Sequence, residues 1–349
     1  MKTNKMHECL AFTLGREWLK VMPRHIKTTP LFGDASGRAY SSVDFDNATA
    51  VLMQIAAVDS PEFGRGDAYF DFADMRDFLE KNGIAVPKVY ARDDEQRAML
   101  LENLGETTLY DAITKSPTKK MALLKEALDT LMLWQKSMYV RKDFSSPADK
   151  KIFRKSLMMT EFYHFYEYMI QKRIYHLPTA DLWKKLEKHF KKISATLSKM
   201  PYTLSHRDFQ SRNLMFHENR WVVIDFQDAL LAPALYDLVA LLRDSYISID
   251  KKELVVLLDY FWKNNSVIRE LIVDKDEYLT LFHLMTVQRK LKDAGRFIYL
   301  HQVKNKEWFI QFVVPTLFSV SESLDYLGLS GLKKLLMPYI PEFQGGAHK

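Results

Sequence analysis

A chain of 349 residues, 47% hydrophobic and 27% charged, carries enough apolar material for a large core and two lobes. No uninterrupted apolar run approaches the roughly 20 residues that span a bilayer, and the single cysteine, Cys9, excludes an intramolecular disulfide or a Cys-based zinc site. The formal charge of +6 is spread along the chain, and the opening residues 1–8 lack the apolar core of a signal peptide, so a cytoplasmic enzyme is expected, with no membrane partner.

In chain order, apolar side chains at Leu10, Leu14, Trp18, Leu19 and Met22 recur with a helical period. Two strands joined by a loop of small residues follow, and the run 48–57 reads as a third strand. In that loop Gly33 and Gly37 let backbone amides approach a phosphate, and Ser36 adds a hydroxyl. Residues 59–67 are turn-rich. The stretch 70–81 is helical, with Phe72, Met75, Phe78 and Leu79 on one face and Gly83 as its C-cap. Its acids Asp71, Asp74, Asp77 and Glu80 read as a solvated face. Residues 86–90 and 98–101 read as two more strands around a turn at 92–95, and 102–105 end the second.

From Leu109 onward the pattern is helical, over 119–138, 156–173 and 181–200. The aromatic stretch 162–166 reads as core and groove lining. Lys184, Lys185, Lys188, Lys191 and Lys192 lie at helical spacing and read as a solvated face, so no nucleic-acid partner is expected. Further helices are expected over 236–243, 252–264, 276–295 and 307–327.

Residues 204–228 organise the rest. Two apolar runs, 214–216 and 221–224, flank a polar turn at 217–220, which is a β-hairpin pattern. A hairpin brings its ends together, so Asn213 at its entry and Asp225 at its exit should be neighbours, with Asp208 on the loop beside them. Such oxygen donors suit Mg²⁺. Kinases use the same order: a loop Asp that accepts the acceptor's proton, then an Asn and a later Asp that hold metal. His206-Arg-Asp208 with Asn213 matches that loop, and Asp225-Phe-Gln stands where Asp-Phe-Gly would. Eight residues, 229–236, separate Asp228 from Asp237, too few for a protein kinase's activation loop, so the acceptor is expected to be a small molecule. Kinases also place a lysine on the third strand. Met53 stands there instead, so either Arg38 supplies the charge or nucleotide binding is weak, which leaves a silent pseudokinase as one alternative.

Together the segments 33–37, 101–105, 206–213, 225–228 and 236–238 resemble the aminoglycoside phosphotransferase and choline kinase family. The segments 224–229 and 288–297, with Met53 on the third strand, are similar to its bacterial cell-wall sugar kinases, which phosphorylate the anomeric hydroxyl of N-acetylmuramate and N-acetylglucosamine. The resemblance implies an α+β, protein-kinase-like two-lobe fold, with 1–105 as the nucleotide-binding lobe and 106–349 as the helical lobe. It implies ATP and Mg²⁺, with Asp208 orienting and deprotonating the acceptor and Asn213 and Asp225 holding the metal. Gly33, Ser36, Gly37 and Arg38 would cover the phosphates, and Glu102 and Leu104 would form the hinge that meets the adenine. His206 would brace the loop. Arg207 and Asp228 are either sugar contacts or braces. Gln288, Arg289 and Lys292 either line the acceptor pocket or form a solvated face. Basic residues there suit an acidic sugar better than choline, an aminoglycoside or another amino alcohol, the remaining alternatives.

Overall fold

The computed structural model describes residues 2–31, 38–55, 68–139, 146–149, 151–173 and 178–343. The expected phosphate-loop residues Gly33, Ser36 and Gly37, and the turn-rich stretch 59–67, lie outside them. Helix α1 (Lys2–Leu19) leads into strands β1 (Ile26–Leu31), β2 (Arg38–Phe45) and β3 (Thr49–Ile55). Helix α2 (Ala68–Lys81) and strands β4 (Val89–Asp93) and β5 (Ala98–Glu102) follow. The five strands pair antiparallel in the order β1-β2-β3-β5-β4. The period-two pattern of β2 buries Ser41, Val43 and Phe45 on one face. There Leu10, Ala11 and Leu14 of α1 pack on Val43, Phe45, Ala50, Leu52 and Leu100, which is why a helical apolar stripe and alternating strands fit one core.

Two details depart from the sequence reading. Strand β4 starts at Val89 rather than 86 because Pro87 has no N–H to give a ladder, and its carbonyl instead accepts from Arg76 Nε at 3.0 Å. The same Arg76 is buried and takes both carboxylate oxygens of Glu80 at 2.7 Å, with Asp77 at 3.0 Å. Two of the four acids on α2 therefore serve an ion pair rather than a plain solvated face. The helix ends as expected, at Gly83 with φ +78°, a left-handed position where a side chain would be strained.

Beyond Leu109 the chain is mainly helical: α3 (Leu109–Lys115), α4 (Lys120–Tyr139), α5 (Lys155–Phe165) and α6 (Leu182–Leu197). Short strands β6 (Tyr202–Ser205), β7 (Leu214–His217), β8 (Arg220–Val223) and β9 (Leu230–Pro233) come next. Helices α7 (Tyr236–Leu242), α8 (Lys251–Asn264), α9 (Ser266–Leu271), α10 (Lys275–Gln302), α11 (Val313–Tyr326) and α12 (Ser330–Leu336) complete it. Side-chain caps set several starts: Asp250 and Glu253 form a capping box at α8, and Asp274 accepts from Glu277 N–H at α10. The lysines of α6 at 184, 185, 188, 191 and 192 are exposed, as the spacing implied. Residues 230–233 pair antiparallel with β6, so the segment after Asp228 is a strand and not a long loop.

Two compact units result, residues 1–108 with 214–227 and residues 109–213 with 228–349. The β7–β8 hairpin thus groups with the five-stranded sheet. In the second unit α10 is the central element, 28 residues long and buried along most of its length. It runs past Gly295, where the sequence suggested an end. A Cβ at Gly295 would lie 2.7 Å from the Cα of Phe165, so this glycine admits the close approach of α5. Among the described residues, no helix is long and apolar enough to cross a membrane.

Candidate active site

In the second unit, β6 delivers the loop 206–213, and a single carboxylate shapes its start. Asp237 of α7 accepts from His206 N–H at 2.8 Å, Arg207 N–H at 3.0 Å and the Ser205 hydroxyl at 2.8 Å. Arg207 has φ +77°, a left-handed conformation costing on the order of 1–2 kcal/mol, and these bonds to Asp237 hold it there. His206 is fully buried and accepts the Asp208 N–H on Nδ1 at 3.2 Å, so it braces the loop. Arg207 reaches Glu161 at 3.4 Å, and Gln288 donates to the same carboxylate at 2.8 Å.

Asp208 keeps 36% of its side chain exposed and faces Arg289, which is fully buried. Arg289 donates to the Arg207 carbonyl at 2.7 Å and to Asp208 Oδ1 at 3.1 Å. Burial would push the Asp208 carboxyl up, but Lys292, Arg289 and Arg207 outweigh it and hold the group well below the usual carboxylate range. Asp208 is therefore held as an anion. The solvated-face reading of Gln288 and Arg289 is overturned, because both are buried and spent on Glu161 and on the loop. Lys292 keeps 18% exposure and pairs with Asp293 at 3.4 Å. Asp228 is partly buried and adds negative charge near Arg207. Asn213 donates its Nδ2 to the Asp208 carbonyl at 2.8 Å, which leaves Oδ1 as the atom it can offer a cation.

In the first unit, β7 pairs with β8 from Leu214↔Val223 to His217↔Arg220. The turn residues Glu218 and Asn219 have φ +48° and +59°, the positive values a two-residue hairpin loop needs. Asp225 follows with φ +61° and 45% side-chain exposure. Its Oδ1 accepts from Arg38 at 3.0 Å and from Gln227 at 2.9 Å. Arg38 opens β2 rather than lying in the loop before it, and its side chain is only 9% exposed. Met53 pairs with Tyr40 and Met99 in the sheet and is buried, so the cation at Asp225 comes from β2 and not from β3. Asp225 in this unit and Asn213 in the other are each oxygen donors of the kind that magnesium takes.

The hinge residues divide. Leu104 packs with Met215 and Val222. The Glu102 carboxylate is buried and holds the Lys88 ammonium at 2.7 Å and the Lys88 N–H at 3.2 Å, so its side chain is structural. Glu102, His217 and Glu218 also bring ligand atoms within 4.8 Å of one another, but Lys88 already pairs with Glu102 at 2.7 Å and lies 4.0 Å from Glu218. A separate cavity of about 680 Å³, lined by Arg243, Leu254, Leu279 and His283 among others, contains none of the expected site residues.

Sequence reasoning passed over Arg212. Its guanidinium lies 4.2 Å from the ring centroids of Tyr246 and Trp308 and 4.9 Å from that of Tyr110. The sequence signal was a basic residue inside the Asp208–Asn213 loop.

A sequence profile of the phosphotransferase enzyme family matches residues 27–262. Among curated relatives, the N-acetylmuramate/N-acetylglucosamine kinase of Neisseria meningitidis serogroup B is 29% identical over 297 residues, 84% of each chain. The protein of that name from Pseudomonas aeruginosa is 28% identical over 285 residues, 80% of this chain and 78% of the relative. Among solved structures, a choline kinase from Cryptosporidium parvum superposes with a TM-score of 0.65 at 11% identity, covering 98% of this chain and 99% of the other. An ADP-bound aminoglycoside phosphotransferase gives 0.57 at 18% identity, covering 91% and 98%. At such identities the likeness is one of fold.

Proposed function

The chain belongs to the phosphotransferase enzyme family, and from that premise we propose an ATP- and Mg²⁺-dependent kinase acting on a sugar, at the anomeric hydroxyl of N-acetylmuramate or N-acetylglucosamine. The observation that carries the phosphotransferase chemistry is Asp208, a partly exposed carboxylate held ionised by the cations around it at the head of the loop. The sugar acceptor is supported by the names of the curated relatives, which match over most of their length.

Asp208 accepts a hydrogen bond from the acceptor hydroxyl and takes its proton as the oxygen attacks the γ-phosphorus. A new O–P bond forms, the bond to the ADP oxygen breaks, and ADP leaves with the electron pair. Asn213 and Asp225 would hold Mg²⁺, which when bound screens the phosphate charge. Positioning and charge neutralisation account for most of such catalysis, so fixed residues matter more than a strong base. Arg289 and Asp237 supply that fixity by pinning the backbone of the two residues that lead into Asp208.

The test follows ADP release with ATP, Mg²⁺ and a panel of amino sugars, amino alcohols and aminoglycosides. Turnover with N-acetylmuramate or N-acetylglucosamine is expected, and Asp208→Ala should abolish it while calorimetry still detects the nucleotide. Full activity in that variant would sink the assignment. Turnover confined to choline-like or aminoglycoside acceptors would replace the sugar.

A further inference from the structure

Four cations lie on or beside the Asp208 loop, and three already have carboxylate partners. Arg207 is on Glu161 at 3.4 Å, Arg289 on Asp208 at 3.1 Å and Lys292 on Asp293 at 3.4 Å. Arg212 differs. Among the described residues no carboxylate pairs with it, and its buried Nε has no hydrogen-bond partner. Three aromatic rings from three separate segments hold it instead: Tyr110 of α3, Tyr246 after α7 and Trp308 before α11. Trp308 remains 41% exposed, and its plane is parallel to that of Tyr246 to within 4°.

This arrangement is fixed from behind. Asp244 is buried and accepts the Ser211 N–H at 2.8 Å on one oxygen and the Tyr246 N–H at 3.0 Å on the other. One carboxylate thereby ties the residue before Arg212 to the ring that flanks it. Phe312 packs edge-on against both Tyr246 and Trp308 at 4.8 and 4.7 Å. Aromatic faces orient a guanidinium while leaving its N–H donors unspent, and an exposed indole is a surface against which the C–H face of a sugar ring stacks. A planar fork without an anion, beside such a surface and four residues from the catalytic Asp208, suits a carboxylate carried by the acceptor.

We propose that Arg212, backed by Tyr246 and Trp308, is the acceptor-discriminating subsite: the sugar ring rests on Trp308, and Arg212 takes an ether-linked carboxylate in a two-donor contact. This rests on the sugar-kinase reading above. N-acetylmuramate carries such a carboxylate and N-acetylglucosamine does not, so Arg212 sets the ratio of the two activities and Trp308 serves both.

The experiment measures kcat and KM for both sugars with wild type, Arg212→Gln, Arg212→Lys and Trp308→Ala, after thermal melting confirms that each variant folds. Arg212→Gln should lower the N-acetylmuramate to N-acetylglucosamine ratio of kcat/KM by about 10- to 100-fold, the scale of a lost charge-assisted bidentate contact, mostly through KM. Arg212→Lys should restore part of it. Trp308→Ala should raise KM for both sugars together. An unchanged ratio in Arg212→Gln overturns the subsite, as does an equal fall in kcat for both sugars, which would mean that Arg212 only positions its neighbour Asn213. Wild type inactive on both sugars would instead remove the sugar-kinase reading, and the subsite with it.

Discussion

Arg289 donates to Asp208 from a position with no solvent exposure, and that makes it costly to replace with an apolar residue. In Arg289→Met the Arg207 carbonyl and the inner oxygen of Asp208 each lose a donor. Breaking a buried ion pair costs roughly 3–5 kcal/mol, and the partial exposure of Asp208 puts this case at the low end. The pH profile should move as well. In the wild type, Lys292, Arg289 and Arg207 overcome burial and depress the Asp208 carboxyl, so it stays ionised as pH falls and is protonated only well below the usual range. Removing one of these cations raises the folded-state pKa, so activity in the variant should be lost at a higher pH on the acid side. The check is kcat against pH for both proteins. Coincident acid limbs would show that Arg289 does not set the ionisation of Asp208.

At the scale of elements, α10 shows what periodicity can and cannot convey. The helix itself was legible over 276–295, though not its Asp274 cap. Its length was not, because Gly295 carries the usual mark of a helix end, whereas here the missing side chain lets α5 approach. The burial of Gln288 and Arg289 was equally hidden. Their partners Glu161 and Asp208 lie far back in the chain, so local pattern reads such residues as solvent-facing. The Asp208 loop and the hairpin were legible for the opposite reason: the chemistry needs Asp, Asn and Asp at short, fixed spacing. The rings around Arg212 come from residues 110, 246 and 308, a convergence no local window contains. Gly295 offers a direct test. Alanine favours a helix interior over glycine by about 1 kcal/mol, yet its Cβ would meet the Phe165 backbone at 2.7 Å, where no side chain can give way. Gly295→Ala should therefore be destabilising by about 1–3 kcal/mol, read as a lower urea midpoint. A raised midpoint would mean that α5 and α10 are not in close contact.

Over the whole molecule, ligand binding and stability are one equilibrium. Any group that binds the folded chain and not the unfolded one stabilises it, by about 2.7 kcal/mol at 100 times its Kd. For a chain of this length that is a rise in Tm of about 4 °C. A non-hydrolysable ATP analogue should give such a rise with Mg²⁺ present, and chelation should remove most of it, because the phosphate charges then lack their counter-ion. On the proposed assignment of Asp225 to the metal site, that residue decides how much of the increment depends on metal. In the free protein its Oδ1 is shared by Arg38 and Gln227, and because Asp225 is 45% exposed the loss of these bonds costs less than breaking a fully buried pair, so Asp225→Ala should fold. The variant should lose the Mg²⁺-dependent increment and keep whatever the nucleotide contributes alone, with Arg38 released from its partner and still cationic. Thermal melting with analogue, with and without Mg²⁺, in wild type and Asp225→Ala gives four values that separate these terms. An undiminished Mg²⁺ increment in Asp225→Ala would remove this residue from the metal site, whatever the variant's turnover.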